Sequence, residues 1–210
     1  MKYIPIITIV TSTIIGLYFY PLLPAQVASH WGVNGEVNGY MSKFWGVFLM
    51  PIISIIIYAV FIIIPKIDPK KANIEKFRKT FDRFIAVLFA FLLYVYTLTI
   101  MWNLGFVFNM TTWLLPSLSI VFFAVGDLVG KAEPNWTAGI RTPWTLSNEE
   151  VWRKTHSLGG KLFKWIAIFP ILGAFLSSTP AFWLVIAPIP AVSIFLVFYS
   201  YFVFKKEISS

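Results

Sequence analysis

At 210 residues, 58% of them hydrophobic and 19% aromatic, the chain carries more apolar surface than a water-soluble core of its size can hide. Its charged fraction is 12%, against roughly 25% in an average soluble domain, which leaves integral membrane protein as the class. The net charge of +8 does not point to direct nucleic-acid binding, because the basic residues flank apolar runs, and the absence of Cys excludes disulfides, Cys-ligated metals and thiol chemistry.

In chain order, Ile4 to Leu23 reads as a first membrane-spanning helix. A signal peptide is the competing reading. It is disfavoured by the length of the apolar run and by the poor small-x-small match at Ala25-Gln26-Val27-Ala28. The loop Pro24 to Lys43 holds His30-Trp31-Gly32 and two Asn-Gly turn signals, Asn34-Gly35 and Asn38-Gly39. Phe44 to Ile64 is the second span, with Pro51 inside. From Ile74 the spacing of Ile74, Phe77, Phe81 and Phe84 puts apolar groups on one helical face. That face either lies on the headgroups as an amphipathic lead-in or forms the solvated first turns of a longer helix. Phe84 to Leu104 is span three, whose one strongly polar interior group is Asn103. Thr111 to Val129 is span four, with Pro116 inside and Asp127 near its end as an anchor paired with Lys131. Trp165 to Ser178 and Ala181 to Phe204 are spans five and six.

Lys and Arg then fix an orientation. With six spans and the N-terminus inside, 16 of the 17 basic residues fall on inner segments and only Lys43 falls outside. The expected fold is therefore all-α and polytopic, with six transmembrane helices in the cell membrane and both termini cytoplasmic. A two-span unit over 1–83 would precede a four-span unit over 84–210.

The polar stretch between spans four and five, 131–160, is too long and too ordered in its local signals to be a mere connection. Ser147-Asn148-Glu149-Glu150 reads as a capping box, with Leu146 and Val151 as a hydrophobic staple. A short interfacial helix is expected over Asn148 to Ser157, ended by a break at Gly159-Gly160. Pro143 holds Thr142 out of helical geometry, and Arg141 can fork onto a carboxylate or phosphate.

The run Asn135, Gly139-Ile140-Arg141-Thr142-Pro143-Trp144-Thr145-Leu146, Asn148, Val151-Trp152, Lys154-Thr155-His156 and Gly159-Gly160 closely resembles the signature of the SdpI family. The first two spans, with Pro24, His30-Trp31-Gly32, Gly35, Gly39 and Lys43, resemble the domain of unknown function that often precedes it. The resemblance implies a bacterial immunity and signalling protein. Such a protein resists a secreted peptide toxin and holds a cytoplasmic autorepressor at the membrane.

On that reading the inward loop would bind the cytoplasmic partner through Asn135, Arg141, Trp144, Trp152, Arg153, Lys154 and His156. The outward loop would sense toxin through His30, Trp31, Asn34, Glu36 and Asn38. The bland alternative makes the tryptophans interfacial anchors and ties Arg141 to its own backbone. A transporter or channel subunit is the second class. Prolines interrupt four spans, but midspan charges to couple transport are missing. Catalysis is not expected, since there is no His-Glu-x-x-His, no Gly-x-Ser-x-Gly and no midspan carboxylate pair. No cofactor or metal site is expected, and oligomeric state is left open.

Overall fold

The computed structural model describes residues 3–209, which are mostly helical. The helices are α1 (Ile4–Phe19, extended by a 3-10 turn over Tyr20–Leu22), α2 (Lys43–Ile67), α3 (Lys71–Lys76), α4 (Arg78–Asn103), α5 (Met110–Lys131), α6 (Pro143–Ser147), α7 (Glu149–Ile166), α8 (Phe169–Gly173), α9 (Ser178–Ile186) and α10 (Pro188–Glu207). Among the described residues, five helical stretches are long and apolar enough to cross a membrane: Ile4–Leu22, Lys43–Ile67, Arg78–Asn103, Met110–Lys131 and Ser178–Glu207. Their outer faces stay greasy. Ile55, Ile56, Phe198 and Phe202 are all exposed, as lipid-facing side chains should be.

The all-α expectation needs one correction. Residues 26–42 form an antiparallel hairpin, β1 (Gln26–Trp31) and β2 (Val37–Ser42). The cause is local. Gly35 sits at φ +81°, where only glycine is comfortable, and Gly32 N–H donates to the Glu36 carbonyl at 2.8 Å. The second Asn-Gly pair makes no turn. Gly39 lies in β2 opposite His30, beside a bulge, and a Cβ there would stand 2.9 Å from the His30 Cβ. Asn103 explains itself here, because its side chain clamps both backbone groups of Ala28, accepting from N–H at 2.7 Å and donating to C=O at 3.0 Å.

Two further expectations shift. The apolar face at Ile74, Phe77 and Phe81 does not lie on headgroups. It is buried with Phe89, Leu128 and Trp152 in the main core cluster. α7 is also longer than foreseen and runs unbroken through Gly159-Gly160 to Ile166. The glycine pair is a contact surface. A Cβ on Gly160 would come within 2.5 Å of the Gly130 Cα and 2.9 Å of the Gly126 carbonyl. Gly126 and Gly130 stand one turn apart on α5, so α5 and α7 approach backbone to backbone, as small residues allow between membrane helices. The contact continues through α8, where Gly173 meets Leu115. Asp127, paired with Lys131 as expected, also meets Lys164 of α7 and Arg83 of α4, and so cross-links three helices.

Candidate functional site

The polar segment 132–148 folds back on itself around Asn135, which is 1% exposed. Its amide donates to the carbonyls of Glu133 (2.7 Å) and Ala138 (2.9 Å). Its Oδ1 accepts from the N–H groups of Thr137 (2.7 Å) and Ala138 (2.6 Å). One side chain thus replaces the backbone pairing that an irregular loop lacks. From outside the loop, Asp68 Oδ2 accepts from Trp136 N–H (2.9 Å) and Thr137 Oγ1 (2.5 Å), and Asn73 donates to the Pro134 carbonyl (2.8 Å). The segment between α2 and α4 therefore holds the segment between α5 and α7.

The loop then turns at Gly139, φ +123°, against a stacked pair. Trp152 and His156 lie one helical turn apart on α7, ring centroids 3.8 Å apart and 14° from parallel. A Cβ on Gly139 would meet His156 Nε2 at 2.4 Å. His156 bridges the loop to its own helix: Ile140 N–H donates to Nε2 at 2.9 Å, and the Nδ1 proton goes to the Trp152 carbonyl at 2.9 Å. That pattern assigns a neutral ring with its proton on Nδ1. Burial pushes the imidazole down to about 4, only partly opposed by the Trp152 carbonyl. Trp152 Nε1 donates to the Ala132 carbonyl at 2.7 Å, closing the end of α5.

α6 and α7 are capped in a way different from the one expected. The capping box is Thr142 with Thr145, and α7 starts on Asn148, whose Oδ1 accepts from Glu150 and Val151 N–H at 2.9 and 3.1 Å. Ser147 instead ends α6, its hydroxyl donating to the Trp144 carbonyl. The Pro143 at the start of α6 selects this arrangement. Thr142 Oγ1 also meets Ser200 Oγ of α10 at 2.9 Å, Trp144 packs edge-on against Tyr201, and Lys154 Nζ reaches Glu207 at 2.6 Å. α10 thereby joins the same module.

Of the inward residues singled out by sequence, Asn135, Trp152 and His156 are internal, and Arg141 donates to the Trp136 carbonyl. Arg153 is exposed and pairs with Glu150 at 2.5 Å. The hydrogen bond from Arg153, reinforced by Lys154, holds the Glu150 carboxyl below its ordinary range. Beside them a polar groove of ≈510 Å³ runs between the end of α5 and the start of α7, lined by Lys131, Glu133, Glu149, Arg153 and Ser157 with His156 at its wall.

The outward set gathers at the other end of α5, which is about 30 Å long at 1.5 Å per residue. His30 Nδ1 meets Asn38 Oδ1 at 2.5 Å, and Asn34 Nδ2 donates to Glu36 at 2.6 Å. Asn109, missed by sequence reading, caps α5 through Thr112 N–H and reaches the Asn34 carbonyl and the Ser178 hydroxyl. Under the hairpin lies a pocket of ≈300 Å³, walled by Trp31, Trp45, Leu49, Tyr96 and Leu114. The Trp31 Nε1 and the Tyr96 hydroxyl are buried and find no hydrogen-bond partner among the described residues.

The comparisons with known proteins fall on these two ends. The domain of unknown function DUF1648 matches residues 7–55, which hold α1, the hairpin and the start of α2. The SdpI/YfhL protein family matches residues 131–200, which hold the Asn135 loop, α7 and most of α10. Residues 131–200 thus carry an SdpI/YfhL family domain. It is 27% identical over 160 residues to the Immunity protein SdpI of Bacillus subtilis (strain 168), covering 76% of this chain and 74% of that protein. No solved structure matches. The similarity and the apolar helices make the chain a multi-pass membrane protein.

Proposed function

We propose that this chain is an SdpI-family immunity protein that resists a secreted antimicrobial peptide at the outer surface and engages a cytoplasmic autorepressor at the inner one. The observation that carries the reading is the similarity to the Bacillus immunity protein over 160 residues, beside the DUF1648 match on the hairpin and the SdpI/YfhL match on the signature loop. The peptide-facing side is the hairpin with His30, Trp31, Asn34, Glu36 and Asn38. Its pocket offers the apolar walls of Trp31, Trp45, Leu49 and Leu114 to an incoming side chain. On the inner side, Trp144, Arg153 and Lys154 supply contact surface, Asn135, Trp152 and His156 hold its shape, and Arg141 stands at its edge. Binding, not bond-making, is the work assigned to both ends.

The proposed topology has six crossings, with both termini and the module on the basic side. The fifth crossing begins at the C-terminal end of α7, past Lys164, and continues through α8. Support comes from the close packing of Gly160 on Gly130 and of Gly173 on Leu115, which lays that pair along most of a helix able to span by itself. Positive charge supports the direction, since 16 of 17 basic residues then face inward.

The test is survival. The chain is expressed in a sensitive bacterium and challenged with the peptide secreted by its own host, with membrane level measured alongside. The wild type should protect, and Trp31→Ala should lose protection at unchanged membrane level. No protection by the wild type, or losses that merely track protein level, would contradict the reading.

A further inference from the structure

The two halves of the molecule do not close on each other on the basic side. α10 packs chiefly on α7, while α4 packs on α1 and α5. A crevice of ≈510 Å³ remains between them. Phe61 and Phe84 form one wall, Leu128 and Phe163 the floor, and Leu196 and Val197 the other wall. The Gly139–Thr142 turn roofs it, bringing Arg141 to the rim. Val197 is 41% exposed and Ser193 is exposed, so the mouth opens along the outer face of α10.

This chemistry is amphipathic in a particular sense. Among the described residues lining the crevice, Arg141 is the one ionisable group and no carboxylate accompanies it. Its guanidinium carries five N–H donors, and the bond to the Trp136 carbonyl uses one nitrogen. An apolar slot opening off a membrane helix is bathed by acyl chains, and lipid gives apolar walls no drive to collapse. A peptide is a poor occupant, because a backbone at that depth would face phenylalanine and leucine with its polar groups unpaired. A free phosphate is a poor occupant too, since a lone arginine over apolar walls is no anion cage.

We propose that this crevice is a lipid site: it seats an acyl chain of an anionic phospholipid from the leaflet on the basic side, with the phosphate on Arg141. The bound lipid would fill the seam between the α2–α4 and α7–α10 halves and touch the underside of the signature loop. This site is independent of the immunity reading.

The test is native mass spectrometry of the full chain released from vesicles of equal phosphatidylglycerol and phosphatidylethanolamine. The wild type should retain phosphatidylglycerol over phosphatidylethanolamine by roughly tenfold, about 1.4 kcal/mol, because the ethanolamine ammonium offsets the phosphate charge that phosphatidylglycerol presents whole to Arg141. Arg141→Gln should erase the preference while leaving lipid bound, and Arg141→Lys should keep part of it. Ser193→Trp, at an exposed position on the mouth, should reduce retention of both lipids severalfold. Equal retention of the two lipids by the wild type, or an unchanged preference in Arg141→Gln, would overturn the headgroup assignment. Full retention in Ser193→Trp would overturn the crevice itself.

Discussion

At Gly139 two constraints meet: a backbone at φ +123° and a histidine nitrogen 2.4 Å from where a Cβ would sit. Gly139→Ala should therefore lower the thermal midpoint in detergent and the membrane level, because neither constraint can relax without unstacking Trp152 from His156. Asn135→Ala should be worse than an ordinary loop change. It removes four short bonds at a buried site, a loss of about 2–4 kcal/mol where stranded backbone groups are desolvated. Chemical denaturation in detergent would read it. The His156 ring gives a prediction in pH. Its pKa is pushed down to about 4 in the fold and returns to about 6.5 when exposed. A depressed pKa means the stability is fully present above about 6.5 and is lost as pH falls toward 4. The Ile140 amide donates to Nε2, so its hydrogen exchange is the direct reporter. Protection should persist near neutrality and fade on acidification, and His156→Gln should flatten the dependence. Fading centred near 6.5 would mean the ring is not buried as described. The sequence announced that Asn135, Trp152 and His156 mattered, but not that they face inward. A polar or aromatic residue carries no mark of which way it points until its partners, here Ala138 for Asn135, Ala132 for Trp152 and Ile140 for His156, are folded beside it.

Five of the six expected spans were legible from length and apolarity, because the bilayer demands about 20 apolar residues, whereas Trp165 to Ser178 divides between the end of α7, the short α8 and a turn. The hairpin was half legible. Asn34-Gly35 is a turn in fact, yet six residues each side are too few and too polar to read as strands beside spans of twenty. α7 misled for a different reason. Glycine pairs commonly end helices, but here they are held in one by the close approach of α5, a tertiary effect that local propensity cannot carry. Gly160→Leu should thus separate α5 from α7 and cut folded yield in the membrane severalfold, whereas Gly105→Ala, with open space around its Cβ, should be limited to the cost of its φ of +98°. Fluorescence-detected gel filtration compares the two. Asp127→Asn should loosen the same contact, since one carboxylate serves Lys131, Lys164 and Arg83 on three helices. Its effect should shrink in Asp127→Asn, Lys164→Gln double variants if the pair is coupled.

On the scale of the whole molecule, the hairpin and the signature loop sit at opposite ends of α5, and each is tied to both halves of the chain. Asn109 and Asn103 hold the hairpin, while Asp68 and Asn73 hold the loop. An arrangement with one binding surface per face of the membrane requires those ends to lie on opposite sides. The native chain contains no Cys, so single introduced cysteines report cleanly. Glu36→Cys at the hairpin tip and Ser147→Cys beside the start of α7 are the two positions to compare, both exposed. In intact cells a membrane-impermeant maleimide should modify position 36 at once and position 147 only after permeabilisation. Rapid modification of position 147 in intact cells, or equal modification of the two, would contradict a folded module on the basic side of the bilayer.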